Sequence, residues 1–303
     1  MADIFINSSC IGCGICVDTC PAHLFKKVNL NENDGDNGEE TPERVKITVP
    51  SVSGCIQCGH CVCLCPTEAI QHEKFSYSEL KPVEKEKQVD WEAFHALVSS
   101  RRSVRRYKKE SIPRETLTKI VHAAEMAPTA CNSRTMHWTV VTKPELLRAI
   151  QKETIQFVQR GITVLDTPWC GFLAKLFPKS EIGTNYARLP FLKAVLKESA
   201  SSDVVFFDAP AVLIVHHVAD GGRFADTDAQ LALQNATLAA CALGLGTFYT
   251  GFLTRAADNT PAIRKILGIP ENHKIAGGMT VGVPAVNYRY LPEREYPDVT
   301  FLE

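Results

Sequence analysis

A cysteine pattern that occurs twice in the first 66 residues constrains this chain more than any other feature. Each copy has the spacing C-x2-C-x2-C-x3-C and is followed by proline. Such a run binds [4Fe–4S] cubes, because three closely spaced thiolates reach three corners of one cube and the fourth cysteine serves the other cube. The spacing therefore predicts two clusters, one held by Cys10, Cys13, Cys16 and Cys65 and the other by Cys55, Cys58, Cys61 and Cys20.

Zinc and disulfide bonds are the alternative uses of these cysteines. Structural zinc takes four ligands, usually as two C-x2-C pairs or with histidines, and leaves the doubled pattern unexplained. Disulfides need an oxidising compartment, and the N-terminus does not look like a secretion signal, so we expect a cytoplasmic protein. Cys63, Cys131, Cys170 and Cys241 remain, without metal-ligand spacing, and we interpret them as buried, inert thiols.

The length of 303 residues fits two domains. Residues 1–78 are predicted to form the cluster domain, with short strands at 3–7 and 44–49, and this part resembles bacterial two-cluster ferredoxins. Residues 31–44 are predicted to be a solvated hairpin insertion, with a docking surface for a basic redox partner as the alternative. The net charge of −1 argues against nucleic acid as a partner.

A polar linker at residues 79–89 is predicted to lead into a second domain at 90–303. Asp90 has the position of a helix N-cap, and the helix runs into a turn at 101–107 that contains four arginines. Convergent guanidinium groups favour a phosphate monoester, because an arginine fork binds its oxygens in pairs. Residues 160–202 are predicted to be an irregular cap over a pocket.

Two further stretches of the second domain carry predictions. The long helix that follows residue 226 is nearly apolar all round, which favours burial at a subunit interface. The uncharged run 236–253 contains three glycines, so a soluble helix and a strand explain it better than a membrane span. His216 and His217 are predicted to leave a buried strand together and not to bind a metal.

Five motifs of the second domain occur in an order that matches one family. They are RRSVRRY at 101–107, APTACNSRTMHWTVV at 127–141, AACALGLGTFYTG at 239–251, GGMTVGVPA at 277–285 and LPERE at 291–295. Together they resemble the FMN-dependent nitroreductase superfamily over about residues 88–303. The resemblance implies an α+β fold with a mixed or antiparallel central sheet, and a homodimer whose interface binds FMN with contacts from both chains.

The resemblance also implies roles for particular residues. Arg101, Arg102 and Ser103 match the group that binds the phosphate, ribityl chain and ring edge of FMN. Arg105 matches the cation that faces N1 and O2 of the flavin. Pro128, Thr129, Ala130 and Asn132 match a loop that the partner chain supplies to FMN. Thr250 and Gly251 match the turn whose backbone reaches flavin N5. Arg294 or, as second choice, Arg289 matches the tail arginine that clamps the phosphate.

The predicted activity is reduction of a small organic acceptor, such as a nitro, quinone or activated alkene compound, by an iron–sulfur flavoenzyme. Ferredoxin, flavodoxin or NAD(P)H would supply electrons; no G-x-G-x-x-G follows a strand, so no Rossmann site is predicted. Arg134 and Met136 replace residues common in the family and put activity on standard nitroaromatics in doubt. An electron-transfer or redox-sensing module serving another protein is the alternative, and a flavin-consuming or dehalogenating enzyme is a third. No catalytic acid is predicted, Tyr249 and His137 being weak candidates.

Overall fold

A computed structural model describes residues 3–29 and 45–303 of the chain. They fall into two compact units. The first contains residues 1–88 together with 131–133, and the second contains residues 89–130 and 134–303. The hairpin predicted at residues 31–44 lies outside the described residues.

The first unit consists of two small antiparallel ribbons and two short helices. Strand β1 (Ile4–Ile6) pairs with β4 (Ile70–His72), and β2 (Lys26–Asn29) pairs with β3 (Val45–Thr48). Helices α1 (Ile15–Thr19) and α2 (His60–Cys63) lie inside the two cysteine runs. The two strands predicted here are confirmed. The core is small and apolar, and its most deeply buried side chains are Phe25, Ile47, Val62 and Ile70.

A four-stranded antiparallel sheet forms the centre of the second unit. Its strand order is β5 (Met136–Val141), β6 (Ala211–Val218), β8 (His273–Gly282) and β7 (Gly246–Tyr249). Strand β6 is inside the sheet and has seven consecutive buried residues, so both of its faces are covered. The predicted α+β class with an antiparallel central sheet is confirmed for this unit.

Helices cover both faces of this sheet. On one face, α4 (Arg114–Ala124) and α9 (Ala225–Ala242) pack against the odd-numbered residues of β6, such as Leu213. On the other face, α5 (Pro144–Leu165), α10 (Gly251–Asn259) and α11 (Pro261–Leu267) pack against the even-numbered residues, such as Ile214. Alternate strand residues point to opposite faces, so one strand supplies two cores.

The segment before the first arginine motif is α3 (Trp91–Ser100). The predicted cap is confirmed, since the Asp90 carboxylate accepts a hydrogen bond from the N–H of Ala93 at 2.8 Å. The helix buries none of its residues in this chain, and Trp91 is 66% exposed. An apolar helical face therefore remains uncovered.

Residues 160–202 are helical, so the prediction that they are irregular was wrong, whereas their role as a cap over a pocket stays a prediction. Helix α5 continues to Leu165, and α6 (Pro168–Leu176), α7 (Glu181–Ala187) and α8 (Leu189–Glu198) follow. The prolines Pro168 and Pro190 suggested broken structure, but each lies in the first turn of its helix. Proline is tolerated there because the first turn has no internal acceptor for its missing N–H.

One face of helix α9 is buried within its own chain, whereas burial of the helix at a subunit interface stays a prediction. Its small residues, including Ala229, Ala232 and Ala236, lie in the core beside α4 and the sheet. Small side chains allow α9 to pack closely against α4 and the sheet. Within residues 3–29 and 45–303, no helix combines the length and the apolarity needed to cross a membrane.

Candidate functional site

Two glycines position the third cysteine of each run. Gly14 precedes α1 with φ of 81°, and Gly59 precedes α2 with φ of 78°. This left-handed conformation is readily adopted by glycine, which has no Cβ to clash. It turns the chain into a helix just before Cys16 in the first run and Cys61 in the second. The two runs therefore bend at equivalent positions.

The cysteines of the two runs form two groups of four. Cys10, Cys13 and Cys65 lie close enough to Cys16 to raise the pKa of its thiol, and Cys58, Cys20 and Cys55 do the same for Cys61. Each group thus contains three cysteines of one run and the last cysteine of the other. The eight residues line two adjoining cavities of the first unit.

The chemistry of these thiols fits iron–sulfur clusters. Burial raises the pKa of both Cys16 and Cys61 to about 11, because a buried thiolate without a cation is disfavoured. Bound iron would supply the positive charge that keeps such sulfurs deprotonated. Across residues 3–29 and 45–303, no group of three or more His, Cys, Asp or Glu side chains is arranged to hold a single metal ion.

Backbone N–H groups point at several of the sulfurs. The Ala69 N–H donates to Cys65 Sγ at 3.2 Å, and the Gln57 N–H donates to Cys55 Sγ at 3.4 Å. Hydrogen bonds to cluster sulfurs stabilise the more negative, reduced state and so raise the reduction potential. The first unit therefore presents a preformed set of donors to the sulfur ligands.

Asn132 lies in the first unit, although its neighbours in sequence belong to the second. Its side-chain amide donates to the carbonyl oxygens of Ile56 at 3.0 Å and Gln57 at 2.9 Å, inside the second cysteine run. Gln57 has a φ of 53° at the position where the first run has Gly12, with φ of 69°. A non-glycine residue in this region costs energy, and the two bonds from Asn132 hold the strained turn in place.

The arginine motif of the second unit runs beside β7. The Val104 N–H donates to the Thr247 carbonyl oxygen at 2.8 Å, and Ser103 forms a parallel bridge to Thr247. Arg105 points to two aromatic rings: its guanidinium carbon lies 4.3 Å from the centroid of Phe248 and 5.9 Å from that of Phe207. Cation–π attraction of this kind fixes the position of the charge.

The first two arginines of the motif have different surroundings. Arg102 donates to the carbonyl oxygens of Ser99 at 2.7 Å and Arg101 at 2.8 Å, at the C-terminal end of α3. A cation there satisfies helix-end carbonyl groups that have no partner within the helix. Arg101 is half-buried and close enough to Cys241 to oppose the rise that burial causes in the pKa of that thiol.

The loop that contains Pro128, Thr129 and Ala130 is attached to α9. The Ala130 N–H donates to both carboxylate oxygens of Asp228 at 3.1 Å, and Asp228 is buried. The Thr129 hydroxyl accepts a hydrogen bond from the Arg134 N–H at 3.3 Å. A buried carboxylate thus fixes this loop from the first turn of the helix.

The turn at Thr250 and Gly251 joins β7 to α10. The Thr250 N–H donates to the Gly278 carbonyl oxygen at 2.9 Å, and the residue is 1% exposed. Its buried hydroxyl oxygen has no hydrogen-bond partner among the described residues. Next to it, Gly251 is exposed, and no atom lies within 4 Å of where its Cβ would be. An unsatisfied buried hydroxyl beside an open backbone position fits a site that a cofactor completes.

The tail from residue 286 onward forms no helix or strand and is almost entirely exposed. Arg289 lies over the ring of Tyr290, with 5.7 Å between the guanidinium carbon and the ring centroid. Arg294 is also exposed. The structure therefore brings Ser103 and Arg105 beside β7, while the tail arginines have no place in that arrangement.

The sequence reasoning missed three residues near this arrangement. Phe207 and Phe248 hold Arg105, but phenylalanines in apolar stretches give no sign that they will face a cation. Phe207 has a φ of 57°, a strained value that the sequence does not reveal. Asp228 had a usable signal, because it is an acid in a helix made mostly of Ala, Leu and Gln.

Three histidines, one from each of the adjacent strands β5, β6 and β8, form a cluster at one end of these strands. His216 Nδ1 lies 2.8 Å from His273 Nδ1, and the ring of His137 lies 5.6 Å from that of His216 and 4.8 Å from that of His273. The prediction that His216 and His217 leave the strand was wrong: both pair within β6, beyond a register shift against β8. Burial lowers the pKa of His216 to about 4, with the neighbouring histidines adding to the effect.

These features define an α+β oxidoreductase with iron–sulfur and flavin sites. Comparison with known families agrees: a 4Fe-4S dicluster domain matches residues 9–84, and the nitroreductase family matches residues 98–283. The second match covers more than half of the chain. The chain belongs to the nitroreductase family, carries a dicluster domain for two [4Fe–4S] clusters, and is an FMN-dependent oxidoreductase.

Individual relatives cover the second unit. A putative NADH dehydrogenase/NAD(P)H nitroreductase of Methanothermobacter thermautotrophicus is 26% identical over 63% of this chain and 76% of its own length. A 4-nitrobenzoate reductase of a Nocardioides species is 30% identical over 63% and 80%. A nitroreductase from Bacteroides fragilis, solved with bound FMN, aligns with a TM-score of 0.52 at 25% identity, over 69% of this chain and 98% of that one.

Proposed function

We propose that this enzyme passes electrons from a low-potential donor through its two clusters to FMN and reduces a small organic acceptor. The observation that carries the proposal is the presence of a dicluster domain and a nitroreductase domain in one polypeptide. Clusters exchange single electrons, and bound FMN can deliver two together as a hydride. Nitro, quinone and activated alkene compounds are the acceptor classes that such a hydride would reduce.

The proposed division of labour follows the chain. Residues 1–78 would hold the clusters through the two groups of four cysteines, residues 79–89 would link the parts, and residues 90–303 would bind FMN. Arg105 would place a fixed positive charge at the flavin, since reduced FMN is anionic and a preorganised cation stabilises it. The two phenylalanines beside Arg105 would keep that charge from moving.

The remaining FMN contacts are proposed from the same motifs. Arg101, Arg102 and Ser103 would bind the phosphate, the ribityl chain and the ring edge of FMN, and the backbone at Thr250 and Gly251 would reach flavin N5. The other contributions would come from the loop and the tail: Pro128, Thr129, Ala130 and Asn132, with Arg294 or Arg289.

We propose a homodimer as the working form. Trp91 and Phe94 of α3 expose large apolar surfaces in the single chain, and such surfaces commonly mark an interface. Light scattering coupled to gel filtration measures the mass directly. A mass near twice the 33.4 kDa chain is expected, and a monomer at all concentrations would oppose the dimer.

The proposed function is tested on protein purified without oxygen. About eight irons and one FMN per chain are expected. Reduced ferredoxin, reduced flavodoxin and NADPH are each offered with 4-nitrobenzoate, a soluble quinone and an activated alkene. Turnover with a one-electron donor that is lost in Cys58→Ser supports the route through the clusters. Turnover that survives this change contradicts it, and no turnover with any acceptor favours the electron-transfer module.

The flavin site has its own test. Replacing Arg101 and Arg102 together by Ala is expected to release FMN while iron is retained, because each charged hydrogen bond contributes about 1.5–3 kcal/mol. Arg106→Ala, in the same segment but exposed, is the matched control for loss of charge. Full FMN content in the double variant would show that the phosphate binds elsewhere.

A further inference from the structure

A large cavity lies in the second unit between the second half of α5, the residues around the start of α8, and α10. Its volume is about 800 Å³, within the range of pockets that bind organic ligands. The residues proposed to bind FMN do not line it. Its lining residues are therefore ones to which no cofactor contact has been assigned above.

The walls of the cavity are mainly apolar. Phe157 and Val164 face it from α5, Phe191 from α8 and Phe252 from α10. The rings of Phe191 and Phe252 stack, with centroids 6.4 Å apart and an interplanar angle of 12°. Phe191 is 60% exposed and Val164 is 63% exposed, so these surfaces are open to water. An apolar ligand body would bury them favourably.

The charged groups of the cavity are all cations. Arg160, Arg188 and Arg255 line it, and no acidic side chain does. Arg255 is partly neutralised by Glu181, at 3.3 Å between Nη2 and Oε1. Arg160 is 3.4 Å from the Thr260 hydroxyl, and within residues 3–29 and 45–303 neither Arg160 nor Arg188 has an acidic partner. Two guanidinium groups are therefore available to an anion.

We propose that this cavity binds a hydrophobic organic anion, such as a long-chain carboxylate. The apolar walls would take the body of the ligand, and Arg160 and Arg188 would bind its head group, since guanidinium groups pair with carboxylate oxygens. A neutral ligand could not form a charge-assisted hydrogen bond with these guanidinium groups, so the cations favour an anionic head group. The inference does not depend on the proposed electron-transfer function, because it concerns binding and not turnover.

Gly161 offers a way to block the cavity without disturbing the fold. It lies inside α5 and lines the cavity, and no atom lies within 4 Å of the position of an added Cβ. A large side chain at this position would extend into the open space. Gly161→Phe is therefore expected to fold, since glycine within a helix is itself unfavourable.

The test is isothermal titration calorimetry on the full-length protein with FMN and clusters, using dodecanoate below its micelle concentration. One site per chain is expected, with dodecanoate binding at least tenfold more tightly than uncharged dodecanol. Arg160→Gln and Arg188→Gln are each expected to weaken dodecanoate about tenfold, as loss of a charged hydrogen bond does. Arg148→Gln removes an exposed arginine of α5 outside the cavity and is expected to have no effect.

Three results would overturn the proposal. They are absence of dodecanoate binding, equal binding of dodecanol, and binding that Gly161→Phe leaves intact although the variant is folded by circular dichroism. Binding of many dodecanoate molecules per chain without change in the arginine variants would show non-specific association and would also count against the site. None of these binding measurements depends on flavin reduction, so they test the cavity independently of the proposed electron transfer through the clusters to FMN.

Discussion

The close packing of Gly246 against Val104 allows the loss of stability caused by a larger side chain at position 246 to be predicted. A Cβ added to Gly246, at the start of β7, would lie 2.6, 2.8 and 2.9 Å from the three side-chain carbons of Val104. Contacts below 3.0 Å force atoms to move. Val104 is 4% exposed and is tied to β7 by its hydrogen bond to Thr247, so it has little freedom to retreat.

Gly246→Ala is therefore expected to destabilise the second unit by about 1–3 kcal/mol, the usual cost of overpacking a tight site. All three tryptophans, Trp91, Trp138 and Trp169, lie in this unit, so tryptophan fluorescence during urea unfolding reports on it alone. The midpoint should fall by roughly 0.5–1 M urea. FMN affinity should fall as well, because Val104 lies between Ser103 and Arg105.

A glycine-to-alanine substitution at an open position serves as the control, because it adds the same methyl group without a steric clash. Gly161→Ala adds the same methyl inside α5, where no atom is within 4 Å, and is expected to stabilise the unit by about 0.5–1 kcal/mol. Val104→Ala combined with Gly246→Ala removes two of the three close carbons and should cost about 1 kcal/mol less than the sum of the single changes. If Gly246→Ala is as stable as the wild type, or the two changes are additive, the steric reasoning is wrong.

Three further predictions concern the clusters, the flavin and pH. Cys65→Ser should lower iron from about eight to about four per chain, whereas Cys63→Ser should keep all of it; equal iron in both variants would refute the assignment. Phe248→Leu should remove about 1 kcal/mol of cation–π attraction and so leave Arg105 less firmly placed at the flavin. The reduction potential of FMN should then become more negative by roughly 20 mV. An unchanged potential would count against the role of Phe248 in positioning Arg105. Folding favours neutral His216, because its pKa is about 4 in the folded protein and about 6.5 in the unfolded chain. The free energy of unfolding should therefore fall as the pH drops through this range, by about 2 kcal/mol between pH 7 and 5. His216→Asn should show a smaller loss, and identical pH profiles of the variant and the wild type would contradict the assigned pKa.

The features that the sequence predicted correctly are those that depend on a few neighbouring residues. The two cysteine runs, the strands beside them and the Asp90 cap are each set by a few consecutive residues, and the structure reproduces the strands and the cap. Prolines were misleading in residues 160–202, because Pro168 and Pro190 begin helices there. Local signals do not distinguish a proline that starts a helix from one that breaks the chain.

Features that depend on distant contacts were not predictable. Phe207 and Phe248 meet at Arg105 only after β6, β7 and β8 have assembled, and no local pattern marks either residue. By resemblance, Arg102 belongs to the group of three residues that binds FMN, whereas its hydrogen bonds in the structure go to carbonyl groups at the end of α3. An arginine side chain can bind either a phosphate group or backbone carbonyl oxygens, so the residue type alone does not predict the contact of Arg102 with the end of α3.

The exchange of the last cysteine between the two runs has a consequence for how this protein can be made. Cys20 belongs with the group around Cys61, and Cys65 belongs with the group around Cys16. A peptide ending before residue 55 would hold three ligands for one cube and a single stray thiol. Neither run holds a complete set of four ligands, so full iron loading has to wait until both runs have emerged from the ribosome, and a fragment that carries only one run cannot be prepared with a complete cluster.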